Sequence, residues 1–439
     1  MDDVVAQLRS CLTSEALDAR IDAGIQKHRT RDIRLTINGD DGRPIQRQCR
    51  VELKHVGHTF SFGANCFMLD GYPDAEQNRR WEQAYLRVFN HTVVPFYWAD
   101  LEPADGQLRF AADSVPVFRR PPPDAVLAWC ERTGVTPKGH PLIWHSLLPE
   151  WLPTDRVERT MRIRRRFEEI AARYHGRINT WDVVNEALIR PPELVMPRDY
   201  VNWAFEQAAG FFPPSNRLFY NDVGWECFEQ FHQEDSALYL LLQNLQLRKA
   251  RLDGIGMQHH LFMSAESLAR KRHQHLSPQR HLEVLDLYAN FGLPVHISEI
   301  TIPQYPGFDD DGTLQADMVR ASYRAWFSHP SVEAIIWWNL ADGRQHGDEG
   351  KYRGGLLRED LSEKPAYQAI DQLINREWRT NATLSVASGQ AEFRAFHGRY
   401  RVLVDGEPVP QEITISRDMP SEIAISLADS RIATAGALT

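Results

Sequence analysis

An eightfold alternation of short apolar segments with helical stretches constrains this chain more than any other feature. The apolar segments are "TFSFGAN" (59–65), "FNHTVVPF" (89–96), "TPKGHPLIW" (136–144), "RINTWDVVNE" (177–186), "NRLFYND" (216–222), "GIGMQHH" (254–260), "LPVHISEIT" (293–301) and "EAIIWWNL" (333–340). Between them run segments of helical period. In "DAEQNRRWEQAYLRVF" (74–89), for example, Trp81, Tyr85, Val88 and Phe89 fall on one stripe. Strand and helix in strict alternation build parallel sheets. Eight units over about 310 residues suit a closed (β/α)8 barrel better than an open sheet. An open nucleotide-binding sheet would also carry a Gly-rich phosphate turn after its first strand, and "FGANCF" is not one. The expected fold is therefore α/β, a (β/α)8 TIM barrel over residues 57–376 of the 439.

The flanks have a different pattern. Residues 3 to 27 carry apolar positions at helical spacing, so 1–28 is expected to be one N-terminal helix. "IRLTINGDDGRPIQRQCRVEL" alternates on either side of the turn "NGDDG", giving strands within 29–56. Strand alternation with Gly turns returns over 377–428, and 429–439 is expected to be a disordered tail. Neither flank can easily cover its own apolar face, so both are expected to join in one small β-sandwich.

Charge and composition exclude several partners. Lys plus Arg is 50 against 59 Asp plus Glu, a net charge of −9, which gives no pull toward nucleic acid or an anionic membrane. The Arg-rich "RVERTMRIRRRFEEI" (156–170) has Ile163, Phe167 and Ile170 on one stripe, so its charges read as a solvated helix face. No apolar run of about 18 residues occurs. The N-terminus lacks the basic start and apolar stretch of an export signal, so the chain as written is expected to be intracellular; one whose signal had been removed would look the same. The five cysteines, Cys11, Cys49, Cys66, Cys130 and Cys227, show no paired spacing and no disulfide framework.

Barrels of this type place their chemistry at the C-terminal strand ends. Those ends offer His140, Trp144 and His145 on strand three, and Asn185 and Glu186 on strand four. Strand five offers Tyr220, Asn221 and Asp222, and strand six offers Gln258, His259 and His260. Glu299 ends strand seven, and Trp338 and Asn339 end strand eight. Two glutamates on opposite sides of one mouth suit glycoside hydrolysis, in which one carboxyl protonates the leaving oxygen and the other attacks the anomeric carbon or activates water. The 12 tryptophans offer rings on which sugars stack. Either glutamate alone would read as a capping or loop residue. A zinc site is the competing reading, given His140, His145, His259, His260, His296 and His346, but no HExxH occurs and strand one carries no HxH pair. No metal and no cofactor are therefore expected. His296, by alternation from Glu299, should face away from the cleft as a satisfied histidine between barrel and helices. Trp151 and Trp225, on strand-end loops, read as loop packing or as sugar platforms.

"WDVVNEA" (181–187) resembles the acid/base motif of family 10 glycoside hydrolases, the retaining endo-β-1,4-xylanase family. "GHPLIWHSLLPEW" (139–151), "LFYND" (218–222), "GIGMQHHL" (254–261), "ISEI" (297–300) and "KPAY" (364–367) resemble its later motifs in order, and "FNHTVVPFYWADLEPADGQLRF" (89–110) aligns with its second strand. The resemblance covers about residues 59 to 375. It implies Glu186 as general acid/base and Glu299 as nucleophile. Asn185 and His140 would contact the sugar under attack, Gln258 and His260 would hold the nucleophile, and Trp338 would lie beneath the sugar. Trp144 and Tyr220 complete the implied substrate-binding set. The substrate implied is a xylan-type saccharide. Two alternatives remain: the same mechanism on a decorated oligosaccharide or other β-glycoside, and a non-catalytic carbohydrate-binding barrel.

The chain departs from the family pattern at three places. Val93, Val94 and Tyr97 stand where the family carries a Glu-Asn pair and a Lys that bind sugar hydroxyls. Thr301 replaces an Asp two residues after the nucleophile. The loop "DGRQHGDEGKYRGG" (342–355) lacks the family's second Trp and carries Arg344, His346, Asp348, Lys351 and Tyr352 instead. These departures leave the catalytic residues in place and imply a rebuilt pocket for the non-reducing side of the substrate.

Overall fold

The structure, a computed structural model, describes residues 2–427. Two helices open the chain, α1 (Asp2–Ser10) and α2 (Glu15–Arg29). They precede strands β1 (Thr30–Asn38) and β2 (Cys49–His58). The barrel strands follow: β3 (Ser61–Asn65), β4 (His91–Pro95), β5 (Thr136–His140), β6 (Ile143–Trp144), β7 (Thr180–Asn185), β8 (Arg217–Asp222), β9 (Gly254–His260), β10 (Val295–Thr301) and β11 (Val332–Trp337). The last strands are β12 (Ala382–Val386), β13 (Gln390–Phe396), β14 (Gly398–Val404), β15 (Glu407–Pro408), β16 (Ile413–Ile415) and β17 (Glu422–Ser426).

β3 to β11 form one sheet in the order β5-β4-β3-β11-β10-β9-β8-β7-β6, and a β5–β7 pairing closes it. β5 and β6 together make the third barrel strand, so this is a parallel (β/α)8 barrel. Every residue of β4 and of β10 is buried, as parallel strands covered on both faces require. The third strand is not the continuous 136–144 segment expected from the sequence. Pro141 has no N–H for the ladder, so β5 pairs with β4 while β6 passes to β7. No helix among the described residues is long and apolar enough to cross a membrane.

The N-terminal helix also differs from expectation, being two helices rather than one. The chain breaks at Cys11–Ser14, and Glu15 and Asp18 then supply acid to the first turn of α2 beside its positive dipole end. The compact unit that holds the barrel comprises Met1–Ser14, Ser61–Trp326 and Ser331–Ile370, so α1 groups with it and α2 does not. The Arg-rich helix Arg156–Tyr174 is likewise less solvated than its charges suggest. Arg166 is fully enclosed and donates from Nε to the Leu142 carbonyl at 2.7 Å.

Among the described residues the second unit comprises Glu15–Phe60, Phe327–Pro330 and 371–427, and the tail expected over 429–439 lies outside them. In this unit β1 lies between β13 and β17, and β2 lies between β12 and β14. The two sheets share one apolar cluster that includes Ile33, Leu35, Ile37, Val51, Leu53, Val402 and Ile415. Removing residues 377–439 takes away every strand partner of β1 and β2. Leaving Val, Leu and Ile side chains of this kind in water costs about 1.5–3 kcal/mol each. The truncated chain is expected to aggregate and to bind hydrophobic dyes. A soluble truncated chain that melts at the full-length temperature would contradict this.

Candidate active site

The residues at the barrel mouth are held by strand irregularities that the hydrophobic pattern hides. A register shift between Asp182 and Val184 precedes the end of β7, and a second lies between Ile297 and Glu299 in β10. Such bulges re-aim side chains. They turn Asn185 and Glu186 toward the mouth from one strand and Glu299 from another. Glu186 adopts a left-handed backbone, φ 57° and ψ 39°, an uncommon conformation for a non-glycine residue and one concentrated at functional sites.

Gln258 sits between the two carboxyls. Its Nε2 lies 2.8 Å from Glu186 Oε1 and 3.2 Å from Glu299 Oε1, so these two oxygens are at most 6.0 Å apart. Asn221 Nδ2 donates to Glu299 Oε1 at 2.8 Å and to Asn185 Oδ1 at 2.7 Å. Ser298 Oγ fixes the orientation of the Asn221 amide by donating to its Oδ1 at 2.5 Å. Asn185 is thereby held through its oxygen, leaving its own N–H groups for the cleft. Asn221 reaches across because β9 carries glycine beside it: a Cβ on Gly256 would meet Asn221 Oδ1 at 2.2 Å. His260 Nε2 lies 3.3 Å from Glu299 Oε2, while its Nδ1 meets Thr301 Oγ1 at 2.9 Å. A hydroxyl both donates and accepts, so Thr301 supports either tautomer of His260, whereas a carboxylate at that place would accept only.

Electrostatics separate the two glutamates. Burial, and then the nearby charge of Glu299, push the Glu186 carboxyl above its ordinary range, against hydrogen bonds from Gln258 and from Trp144, whose Nε1 donates at 2.9 Å. Asp222 next to it is pushed up to about 7 by burial. Beneath the site Lys138 Nζ and His140 Nδ1 bind the two oxygens of Asp182 at 2.8 and 2.9 Å, all three nearly solvent-free. Burial opposes ionisation of Asp182, but the Lys138 charge and the His140 hydrogen bond hold it below the usual carboxylate range.

The cleft encloses about 530 Å³. Of the residues expected at the site, Trp144, Asn185, Glu186, Gln258, His260, Glu299 and Trp338 line it. Two do not. Tyr220 alternates with Asn221, which faces the barrel interior, so Tyr220 points outward; it is fully buried and donates its hydroxyl to Asp222. His140 is 1 % exposed and lies below the cleft floor, with Nε2 3.6 Å from Glu299 Oε1. His296 also corrects its expectation. The bulge in β10 changes the alternation, and the ring lies inside the barrel, 4.3 Å from the Phe219 ring and 6.2 Å from His91, with Nδ1 lacking a hydrogen-bond partner among the described residues. Trp225 lines the cleft and is 45 % exposed, whereas Trp151 packs edge-on against Trp98 and donates to the Glu102 carbonyl at 2.8 Å. Phe67, Tyr97, Arg119, Arg120, His346 and Glu349 complete one end of the wall. Arg119, Arg120 and Glu349 were not singled out from the sequence. The run "RRPPP" (119–123), proline-stiffened and placed just before a barrel helix, is the signal that could have found the arginines.

Comparison with known proteins agrees with the barrel fold. Endo-1,4-beta-xylanase B of Thermotoga neapolitana is 24% identical over 350 residues, covering 74% of this chain and 89% of the relative. Anti-sigma-I factor RsgI6 of Acetivibrio thermocellus is 24% identical over 395 residues, and there the chain spans only 45% of the relative's length. Among solved structures, native xylanase 10B from Thermotoga maritima aligns with a TM-score of 0.59 at 22% identity, over 73% of this chain and 96% of that one. The profile of Glycosyl hydrolase family 10 matches residues 81–373, well over half of the sequence, and the chain therefore belongs to glycosyl hydrolase family 10.

Proposed function

We propose that this chain is a retaining β-glycoside hydrolase, endo-β-1,4-xylanase-like, acting on a xylan-type saccharide. The observation that carries this reading is the single Gln258 amide bridging Glu186 and Glu299. The 6.0 Å ceiling it sets supports the close spacing of retaining enzymes, about 5–5.5 Å, over the 6.5–9.5 Å that leaves room for water in inverting ones. Family membership and the xylanase relatives support the same substrate class.

In the first step a Glu299 oxygen attacks the anomeric carbon as its bond to the leaving oxygen breaks, and Glu186 gives that oxygen its proton. In the second, water attacks the same carbon, Glu186 takes the water's proton, and the Glu299–sugar bond breaks. The raised Glu186 carboxyl keeps its proton at a pH where an ordinary one has lost it. Asn221, Gln258 and His260 orient Glu299, and Asn185 offers its amide to a sugar hydroxyl. Trp338 supplies the apolar floor. His140 acts as a positioning residue from below.

Proton NMR of a xylo-oligosaccharide digest tests this reading. The β-anomer of the new reducing end should appear first and mutarotate later. Initial release of the α-anomer would overturn the nucleophile assignment, and no hydrolysis of this saccharide, its decorated forms or aryl β-glycosides would leave a carbohydrate-binding barrel.

A further inference from the structure

The cleft end formed by Phe67, Tyr97, Arg119 and Arg120 holds a positive charge that nothing in the hydrolytic scheme uses. Arg119 is 5 % exposed yet lines the cleft. Its Nη1 donates to the Arg344 carbonyl at 2.8 Å, while Nε is buried with no partner among the described residues. Arg120 is neutralised by Asp100, Nε to Oδ2 2.7 Å, and lies 4.2 Å over the Tyr97 ring. Arg119 makes no direct ion pair among the described residues, although the Glu349 carboxylate nearby offsets part of its charge. Its neighbour is the Phe67 ring at 5.4 Å, and Glu349 on the same wall is held by Asn339 at 2.9 Å instead. Burial lowers the Arg119 guanidinium only to about 10, so it stays charged at neutral pH. Its backbone is left-handed, φ 60°. A buried charge with no direct ion pair, on a strained backbone, is costly to the fold, and such sites persist where a ligand completes them.

We propose that Arg119 recognises the carboxylate of a uronic acid carried on the non-reducing side of the substrate. This inference rests on the hydrolase reading above. With Nη1 engaged, Nε is left without a hydrogen-bond partner among the described residues, and the planar Nε edge of a guanidinium matches a carboxylate in two parallel hydrogen bonds. The same wall is aromatic beside this charge. The Tyr97 ring packs edge-on against Phe67 and His140 at 5.7 and 5.6 Å. An aromatic slot ending in a guanidinium that is only partly compensated disfavours an uncharged polyhydroxyl chain and favours a sugar with a flat apolar face and one anionic group.

The test compares kcat/KM on three substrates of one length: linear xylotetraose, the same backbone with a glucuronosyl group toward its non-reducing end, and its sulfated counterpart. The glucuronosylated substrate should be cleaved about 10- to 100-fold more efficiently than the neutral one, the range that charge-assisted hydrogen bonds give. In Arg119→Met this ratio should fall to about one. Arg119→Lys, which keeps the charge but loses the fork, should restore only part of it and guards against a folding defect in the methionine variant. Equal or better cleavage of the neutral substrate, or an unchanged ratio in Arg119→Met, overturns the proposal. Preference for the sulfated substrate overturns the carboxylate assignment. If the wild type cleaves none of the three, nor an aryl β-xyloside, the hydrolase reading fails. Binding of the same neutral and acidic saccharides to Glu299→Gln then decides the inference separately: tenfold tighter binding of the acidic one upholds it, and equal binding ends it.

Discussion

Glu299→Ala is expected to abolish turnover of every glycoside, by a factor on the order of 10⁵–10⁶, the scale on which removal of a covalent nucleophile acts in other hydrolases. No neighbour can substitute for it. Glu186 is held by Gln258 and Trp144 on its own side of the cleft, and Asp182, tied to Lys138 and His140, lies beneath the floor. The other glutamates that line the cleft, Glu229 and Glu349, are tied to Lys271 and His275 and to Asn339, so the loss should be independent of leaving group and of pH. A small external nucleophile such as azide or formate can enter the vacated space, and the product it forms should have inverted configuration. Steady-state rates on an aryl β-xyloside, with and without azide, make the measurement. Residual activity above about 1% of wild type without the added nucleophile would move the covalent role elsewhere.

The second large effect separates leaving groups. Glu186→Ala should lower kcat/KM by roughly 10²–10⁴ on natural saccharides, the usual contribution of a general acid. On an aryl glycoside whose phenolate leaves unprotonated, the first step should fall little, and the trapped sugar–enzyme intermediate should accumulate as a burst. The sign of the pH dependence follows from the same proton. Burial and the Glu299 charge raise the Glu186 carboxyl, so the acid form survives to higher pH and activity is lost only as pH rises through that raised value. The alkaline limb of the kcat/KM profile should therefore lie above the ordinary carboxylate range and vanish in Glu186→Gln. Equal losses on good and poor leaving groups would contradict the acid role.

Much of this architecture can be read from the sequence because parallel strands are simple objects. A strand buried on both faces reads as an apolar run, and eight runs with helical spacers leave little but a barrel. The glutamates could be placed because the end of a run marks the barrel mouth. What the sequence hides is the direction a side chain takes at that end. Strict alternation would send His296 outward, yet one extra residue in β10 sends it into the barrel. Reading strand ends without alternation brought Tyr220 to the cleft, when Asn221 beside it is the residue that crosses. Arg119 escaped notice for a different reason. Its side chain is charged and prolines follow at 121–123, so it reads as an exposed loop, and only its burial at the cleft wall identifies it as a candidate ligand group.

The threading of the second unit has a consequence for synthesis on the ribosome. Leu53 in β2 pairs with Ala382, 329 residues later, and Leu35 in β1 pairs with Ala391 and Ile423. At elongation rates of about 5–20 residues per second, the first two strands wait about 15–80 seconds for their partners. During that interval the whole barrel sequence emerges and can fold, while two apolar strands remain open at the N-terminal side of the nascent chain. Nascent chains stalled near residue 376 should therefore retain trigger-factor-like or other holding chaperones on residues 30–58, and release them once residue 427 has cleared the exit tunnel.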